Sequence, residues 1–304
     1  MKLIQISENF TPLDDGVLFS VNAESEAPAD IRLDIVDSVS GMVVATQQLR
    51  EVRRAKVNIA PYIERFAERT PSHYPYTSFS EAPTAIHHIR VDEICSYSVI
   101  TSVNRVQVTT PTLLTAMPRQ RCIAYGESDE VMIFAEEGAL ISATVTTDWG
   151  EELSLDYTST SGAAIFTLAS ADFDTECRKI DVTIACNGTP LGSLRYNLAP
   201  RHKCALRLAW ISERGTIERY TFPTPVSVTR KGDERTVTIQ SHYEPRAVVE
   251  ALAQIVASPK VWVERNGSFC EVKVATSTLE YTLFGEPDSI ALTLLAEGGE
   301  EALW

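Results

Sequence analysis

Apolar and polar residues alternate with a period of two along most of the chain. Ile31, Leu33 and Ile35 fall on one side of their segment, with Arg32 and Asp34 on the other. Ile141, Ala143 and Val145 alternate with Ser142, Thr144 and Thr146, and Ile180, Val182, Ile184 and Cys186 with Asp181 and Thr183. Ile290, Leu292 and Leu294 form one more row. Each row predicts a half-buried strand. The rows recur at short intervals with Gly, Asp, Asn or Pro between them, which predicts a mainly β chain of sandwich- or barrel-like modules rather than βαβ units. Helical periodicity is rare. "APYIERFAER" sets Pro61 at a first helical position, and "EPRAVVEALAQIVASP" carries one apolar stripe, Val248, Val249, Leu252, Ile255 and Val256. The second helix is expected at about 245–257, because Pro259 disfavours helical geometry at Ser258.

Proline-bearing stretches at 109–121 and 197–203 read as linkers. They divide the chain into three tandem modules: a β-sandwich at 1–118, a second at 119–200, and a barrel-like module with one flanking helix at 201–304. The first two run in parallel. "IRLDIVDSVSG" matches "ISATVTTDWG", "AKVNIAPYIERF" matches "AAIFTLASADF", and "HIRVDEI" matches "KIDVTIA". The second module is a candidate divergent repeat of the first, the alternative being that any two β-sandwiches show such a series.

In the third module Leu206, Leu208 and Trp210 alternate on one strand, "SERG" supplies a turn, and Tyr220 and Phe222 follow on the next. The hairpin sets these aromatics across from, or diagonal to, Trp210 in a core, where cross-strand pairs contribute about 0.2–1 kcal/mol each. Asn266-Gly267 between two alternating runs marks a second hairpin. This order of elements, with Trp210-x4-Gly215-x4-Tyr220-x-Phe222 followed by "ALAQIVASPKVWV", resembles the tail-tube and distal-tail proteins of tailed bacteriophages. It also resembles prophage and mobile-element proteins of gut Bacteroidetes. The resemblance covers roughly the last hundred residues. It implies a structural protein of a phage or prophage virion, in or near the tail, that associates with itself and with other virion proteins. Synthesis in the cytoplasm followed by incorporation into the virion is the expected route.

Charge and chemistry sharpen this picture. The net charge is −14, and residues 119–200 hold 13 acids against 5 bases. A chain this acidic, without a basic stripe, is not expected to bind nucleic acid directly. No apolar run reaches the roughly 18 residues of a membrane span, and the N-terminal segment lacks a secretory pattern. The six cysteines form no CxxC and read as buried thiols. No catalytic, cofactor or metal motif is present, so a non-enzymatic role without cofactors is expected. His87 and His88 are adjacent on a strand and point to opposite faces, and "DFDTE" at 172–176 lacks the glycine of a calcium loop. Trp149, at the tip of "TDWGEE", and Trp304, at the end of the sequence, are the candidate interaction residues. A DNA conduit would call for Glu127, Asp129, Glu130, Glu136, Glu137, Asp148, Glu151 and Glu152 to face its lumen. The alternative function is a carbohydrate-binding or adhesin-like sandwich protein using Trp149.

Overall fold

The computed structural model describes residues 2–5, 17–23, 27–37, 40–63, 70–82, 84–91, 94–102, 110–160, 162–231, 234–265, 267–281, 285 and 287–296. The chain is mainly β. It forms two compact units, residues 1–69 with 82–109, and residues 70–81 with 110–304. This division differs from three tandem modules in two ways. Residues 119–200 and 201–304 belong to one unit, and a segment from within the first stretch joins them.

The first unit is built from β1 (Lys2–Gln5), β2 (Leu18–Asn22), β3 (Ala29–Asp37), β4 (Val43–Val52), β5 (Arg54–Asn58) and the short helix α1 (Ala60–Ile63). After β6 (Ser78–Glu81), which lies in the second unit, come β7 (Thr84–Val91) and β8 (Ile94–Ser102). Two sheets form, β1-β2-β5 and β4-β3-β7-β8. Phe19, Val21, Ile31, Leu33, Ile35, Val57 and Ile89 make their shared core, the alternating positions that the pattern marks.

The second unit begins with β9 (Thr112–Leu114), β10 (Gln120–Ala124), β11 (Ser128–Phe134), β12 (Leu140–Thr147), β13 (Glu152–Thr158), β14 (Ala163–Ala169), β15 (Lys179–Cys186) and β16 (Thr189–Ala199). Their sheets are β10-β16-β15-β12-β13 and β6-β14-β11-β9. The core of β13-β12-β15-β16 repeats β4-β3-β7-β8 strand for strand, and β9-β11-β14 repeats β1-β2-β5. The sequence parallels fall on equivalent strands: β3 with β12, β5 with β14, β7 with β15. The second sandwich adds β10, parallel to β16, and β6, antiparallel to β14. In the second sandwich a short turn at 173–178 joins the equivalents of α1 and β7. In the first, that connection is the long stretch from which β6 comes.

The remaining elements are β17 (Leu206–Ile211), β18 (Ile217–Phe222), β19 (Thr224–Lys231), β20 (Glu234–Gln240), α2 (Arg246–Ala253), β21 (Val261–Arg265), β22 (Ser268–Tyr281) and β23 (Pro287–Ala296). They form one antiparallel sheet in the order β18-β17-β21-β22-β23-β20-β19. Only Pro223 separates β18 from β19, although these strands end the sheet on opposite sides. Successive Cα atoms are about 3.8 Å apart, so the sheet must curl until its two edges meet there. Trp210, Tyr220 and Phe222 thus share a core with Val237 and Ile239 from the other end, and α2 closes it with Val248, Val249 and Leu252, followed by Ile255 in the 3-10 turn after it. Val256, assigned to the same stripe from its spacing, is 48% exposed, because the last turn tightens to a 3-10 helix over Gln254–Ala257. Tyr220 and Phe222 meet edge to face at 4.9 Å. Directly across from Trp210 lies Glu218, with Tyr220 on the diagonal.

Neither predicted linker is a linker. Thr112–Leu114 is β9, paired with β11, and Met117 is buried in the core of the curled sheet. Asn197–Ala199 completes β16, pairing with β10. Proline is tolerated in both stretches because it sits between paired segments.

Candidate functional site

The face of β17 and β18 opposite Trp210 carries Arg207, Ala209 and Ile211 across from Thr221, Arg219 and Ile217. β21 extends it with Glu264 beside Arg207 and Trp262 beside Ala209. This face is also buried. Ala209, Ile217 and Trp262 form a small apolar cluster, and β11 of the sandwich touches β18. β11 is consequently covered on both sides: Val131 and Ile133 enter the sandwich core, while Glu130 reaches the curled sheet.

Three arginines and five carboxylates lie at or beside this seam, with Glu218 approaching Arg121 from the Trp210 side of β18. Arg207 donates from Nη1 to Glu127 Oε2 at 2.5 Å and to Thr221, from Nη2 to the Ser128 carbonyl, and lies 3.2 Å from Glu264 through Nε. Arg121 donates to Asp129 at 2.6 Å, to the Pro118 carbonyl and to the Thr115 hydroxyl. Arg219 donates to Glu130 at 3.1 Å and to the Ser72 carbonyl, with its guanidinium 5.6 Å from the rings of both Tyr74 and Phe269. Glu218 accepts from the Thr115 and Thr216 hydroxyls and from the Ala116 amide at 2.6 Å. All eight side chains are at most 8% exposed. Backbone amides of Ala116 and Ala124 supply part of what the acids lack in cations. Burial pushes the Glu218 carboxyl above its usual range, against the pull of nearby Arg121.

Residues 70–81 clasp both parts of the unit. Phe79 packs on Tyr157 and Phe166, with ring centroids 5.8 and 5.4 Å away. The Thr77 amide donates to Asp172 and the Thr77 hydroxyl accepts from the Ala169 amide. His73 lies 3.6 Å from Glu264. Asp172, in the stretch that lacks the glycine of a calcium loop, is therefore a clasp anchor.

The acid cluster assigned to a lumen does not face one way. Glu127, Asp129 and Glu130 are 1–2% exposed and paired with arginines in the seam. Only Glu136, Glu137, Asp148, Glu151 and Glu152 lie on the surface. The expectation of eight solvent-facing carboxylates is thus corrected. An isolated strand pattern cannot show that the polar face of β11 meets an arginine-bearing face. The cysteine reading also needs correction: Cys177 and Cys186 are buried, Cys122 and Cys204 are exposed, and all four are free thiols.

Two hollows adjoin these elements. One, of about 410 Å³, lies beside the seam between Arg121, Cys122, Asp129, Tyr220, Glu244 and Val248. The Tyr220 hydroxyl spans part of its wall by donating to Glu244 at 2.7 Å; burial and that carboxylate push the phenol well above its usual range. The other, of about 660 Å³, opens at the tip of the β12–β13 hairpin beside Trp149. Trp149 is 66% exposed rather than folded over its strand. Trp304 and Asn266 lie outside the described residues. For His87 and His88 the structure describes the backbone, which pairs with Asp37 and Val36.

No protein-family model matches the chain, and no curated protein is similar to it.

Proposed function

We propose that this chain is a non-enzymatic structural protein of a phage or prophage virion, in the tail or associated with it, that works by self-association and contact with other virion proteins. The observation that carries the reading is an edge left open twice. β4 ends its sheet in the first sandwich, and β13 occupies the equivalent end in the second. They are ten and seven residues long, and neither has a further strand beside it among the described residues. An uncovered edge offers a row of backbone donors and acceptors to another chain. Met42 and Val43 at the start of one edge, and Leu153 in the other, are exposed apolar residues at 66%, 45% and 36%. The hairpin, strand pair, helix, hairpin and closing strand of residues 206–296 also keep the element order on which the resemblance to tail proteins rests.

Light scattering coupled to size exclusion tests the reading. Concentration-dependent assemblies are expected, and Val43→Lys with Leu153→Lys should shift them toward monomer, since charge on an edge blocks strand addition. A strict monomer at high concentration, with no assembly driven by neighbouring gene products, overturns it. Portal, tape-measure or baseplate genes beside the coding gene would support it.

A further inference from the structure

The cleft at the β12–β13 tip has a rigid backbone and uncommitted side chains. Thr147 and Glu151 close the tip, with the Thr147 amide donating to the Glu151 carbonyl at 2.9 Å and Gly150 in the left-handed region at φ 82°. The Asp148 amide donates to the Lys179 carbonyl, and the Asp148 carboxylate accepts from the Arg178 amide. On the far wall, the Tyr125 hydroxyl donates to the Cys177 carbonyl at 2.7 Å, and the Leu198 amide to the Arg178 carbonyl at 2.8 Å. The turn holding Glu176 is pinned by the Glu176 and Cys177 amides on Asp174. Every wall of the cleft is thus held by hydrogen bonds inside the fold.

What the fold does not use is the set of side chains pointing outward. The Trp149 indole is two-thirds exposed, and Arg178 and Glu176 are exposed, their side chains without a hydrogen bond or ion pair among the described residues. Thr175, Tyr125 and Pro200 complete the lining. A flat aromatic face beside one donor fork, one carboxylate and one hydroxyl matches a pyranose, which has an apolar C–H face and a rim of hydroxyls. Arg178 donates to ring or hydroxyl oxygens, and Glu176 accepts from vicinal hydroxyls. The hollow's volume, about 660 Å³, lies within the usual range of roughly 300–1,000 Å³ for ligand sites. Because the walls are already fixed, binding orders few groups, which favours affinity.

We infer that this cleft binds a short neutral hexose-containing oligosaccharide, one ring stacked on Trp149 and its hydroxyls held by Arg178 and Glu176. The opposite charges of Arg178 and Glu176 argue for a neutral sugar rather than an acidic one. This site is separate from the self-association edges and does not depend on them.

The full-length chain on a glycan array, followed by calorimetry with the best hit, provides the test. Neutral hexose oligosaccharides should bind. Trp149→Ala should abolish the binding, and Arg178→Ala and Glu176→Gln should each weaken it about tenfold or more. Trp149→Phe should restore part of it. Circular dichroism should be unchanged in Trp149→Ala, because the indole fills no core. Binding of no glycan at millimolar concentration overturns the inference, as does glycan binding that survives Trp149→Ala. Binding confined to acidic saccharides or to proline-rich peptides also overturns it.

Discussion

The second sandwich is joined twice, and by opposite means. Its two sheets meet mainly through Val131, Ile133, Phe166, Leu168, Val182 and Ile184, with the buried Arg121–Asp129 pair joining them on the β10 side. The same sandwich meets the curled sheet through Arg207 against Glu127, Arg219 against Glu130 and Arg121 near Glu218, with Asp129 and Glu264 buried beside these pairs. An apolar join is tolerant of register, since any close-packed arrangement of the right volume satisfies it. A buried ionic join is not: each charge is costly unless its partner stands at one place. The contrast suggests why residues 119–200 and 201–304 form one unit. The ionic seam selects a single docking, while the apolar cluster around Trp262 supplies area removed from water.

The largest effect should come from breaking the seam on one side. Arg207→Met removes the buried cation between Glu127 and Glu264, leaving only the more distant Arg201 and His73 near them, and should destabilise the second unit by about 3–5 kcal/mol in urea denaturation. A loss below about 1 kcal/mol would mean that water enters the seam and that the contrast fails. In the apolar join, Leu168→Ala should cost about 2–5 kcal/mol through the cavity it leaves, in the same assay. The two joins separate more clearly in a pair of changes. Arg219→Met with Glu130→Leu should lie within about 1 kcal/mol of the wild type, although Arg219→Met alone costs several. Truncating two apolar neighbours should show no such recovery.

The smallest effect concerns pH. Glu218 has a folded pKa raised above its unfolded value by burial. Its contribution to stability is therefore fully present below the unfolded pKa and is lost as pH rises through the folded one. Relative to Glu218→Gln, the wild type should gain stability as the medium is acidified from neutrality toward about pH 4.5, near the usual pKa of a glutamate. Urea midpoints of the two proteins across that range check the sign. A difference that is flat with pH would show that Glu218 titrates as it does in the unfolded chain.

Much of the strand content was legible in the alternation. Ile31, Leu33, Ile35, Ile141, Ala143 and Val145 face cores, as their spacing requires, and the parallels between the first two stretches fall on equivalent strands. The helix was readable from Pro245 and one apolar stripe. The seam was not. Arg207 and Arg219 occupy the polar side of an alternating hairpin, the usual signature of a solvent face, and Asp129 and Glu130 open a strand as ordinary surface acids do. One signal was present: in "CALRLAWISERGTIERYTF" charges interrupt strands whose apolar positions already form a full core. Trp149 was singled out from its place at a tip, but the Tyr125 wall and the Glu176 and Arg178 wall around it come from two other turns, far away in sequence.

The sequence by itself determined which side of each strand is apolar, where turns reverse the chain and where the helix begins and ends. These are local matters, decided by side-chain period, by glycine at positive φ and by proline geometry. Only the tertiary structure decided that the polar side of β17 and β18 is also an inside, that residues 70–81 leave the first unit to complete the second, and that Met117 fills a core rather than a linker. The physical reason is that a buried charge is paid for by a partner far away in sequence, as Arg207 is by Glu127, and no local pattern records that distance.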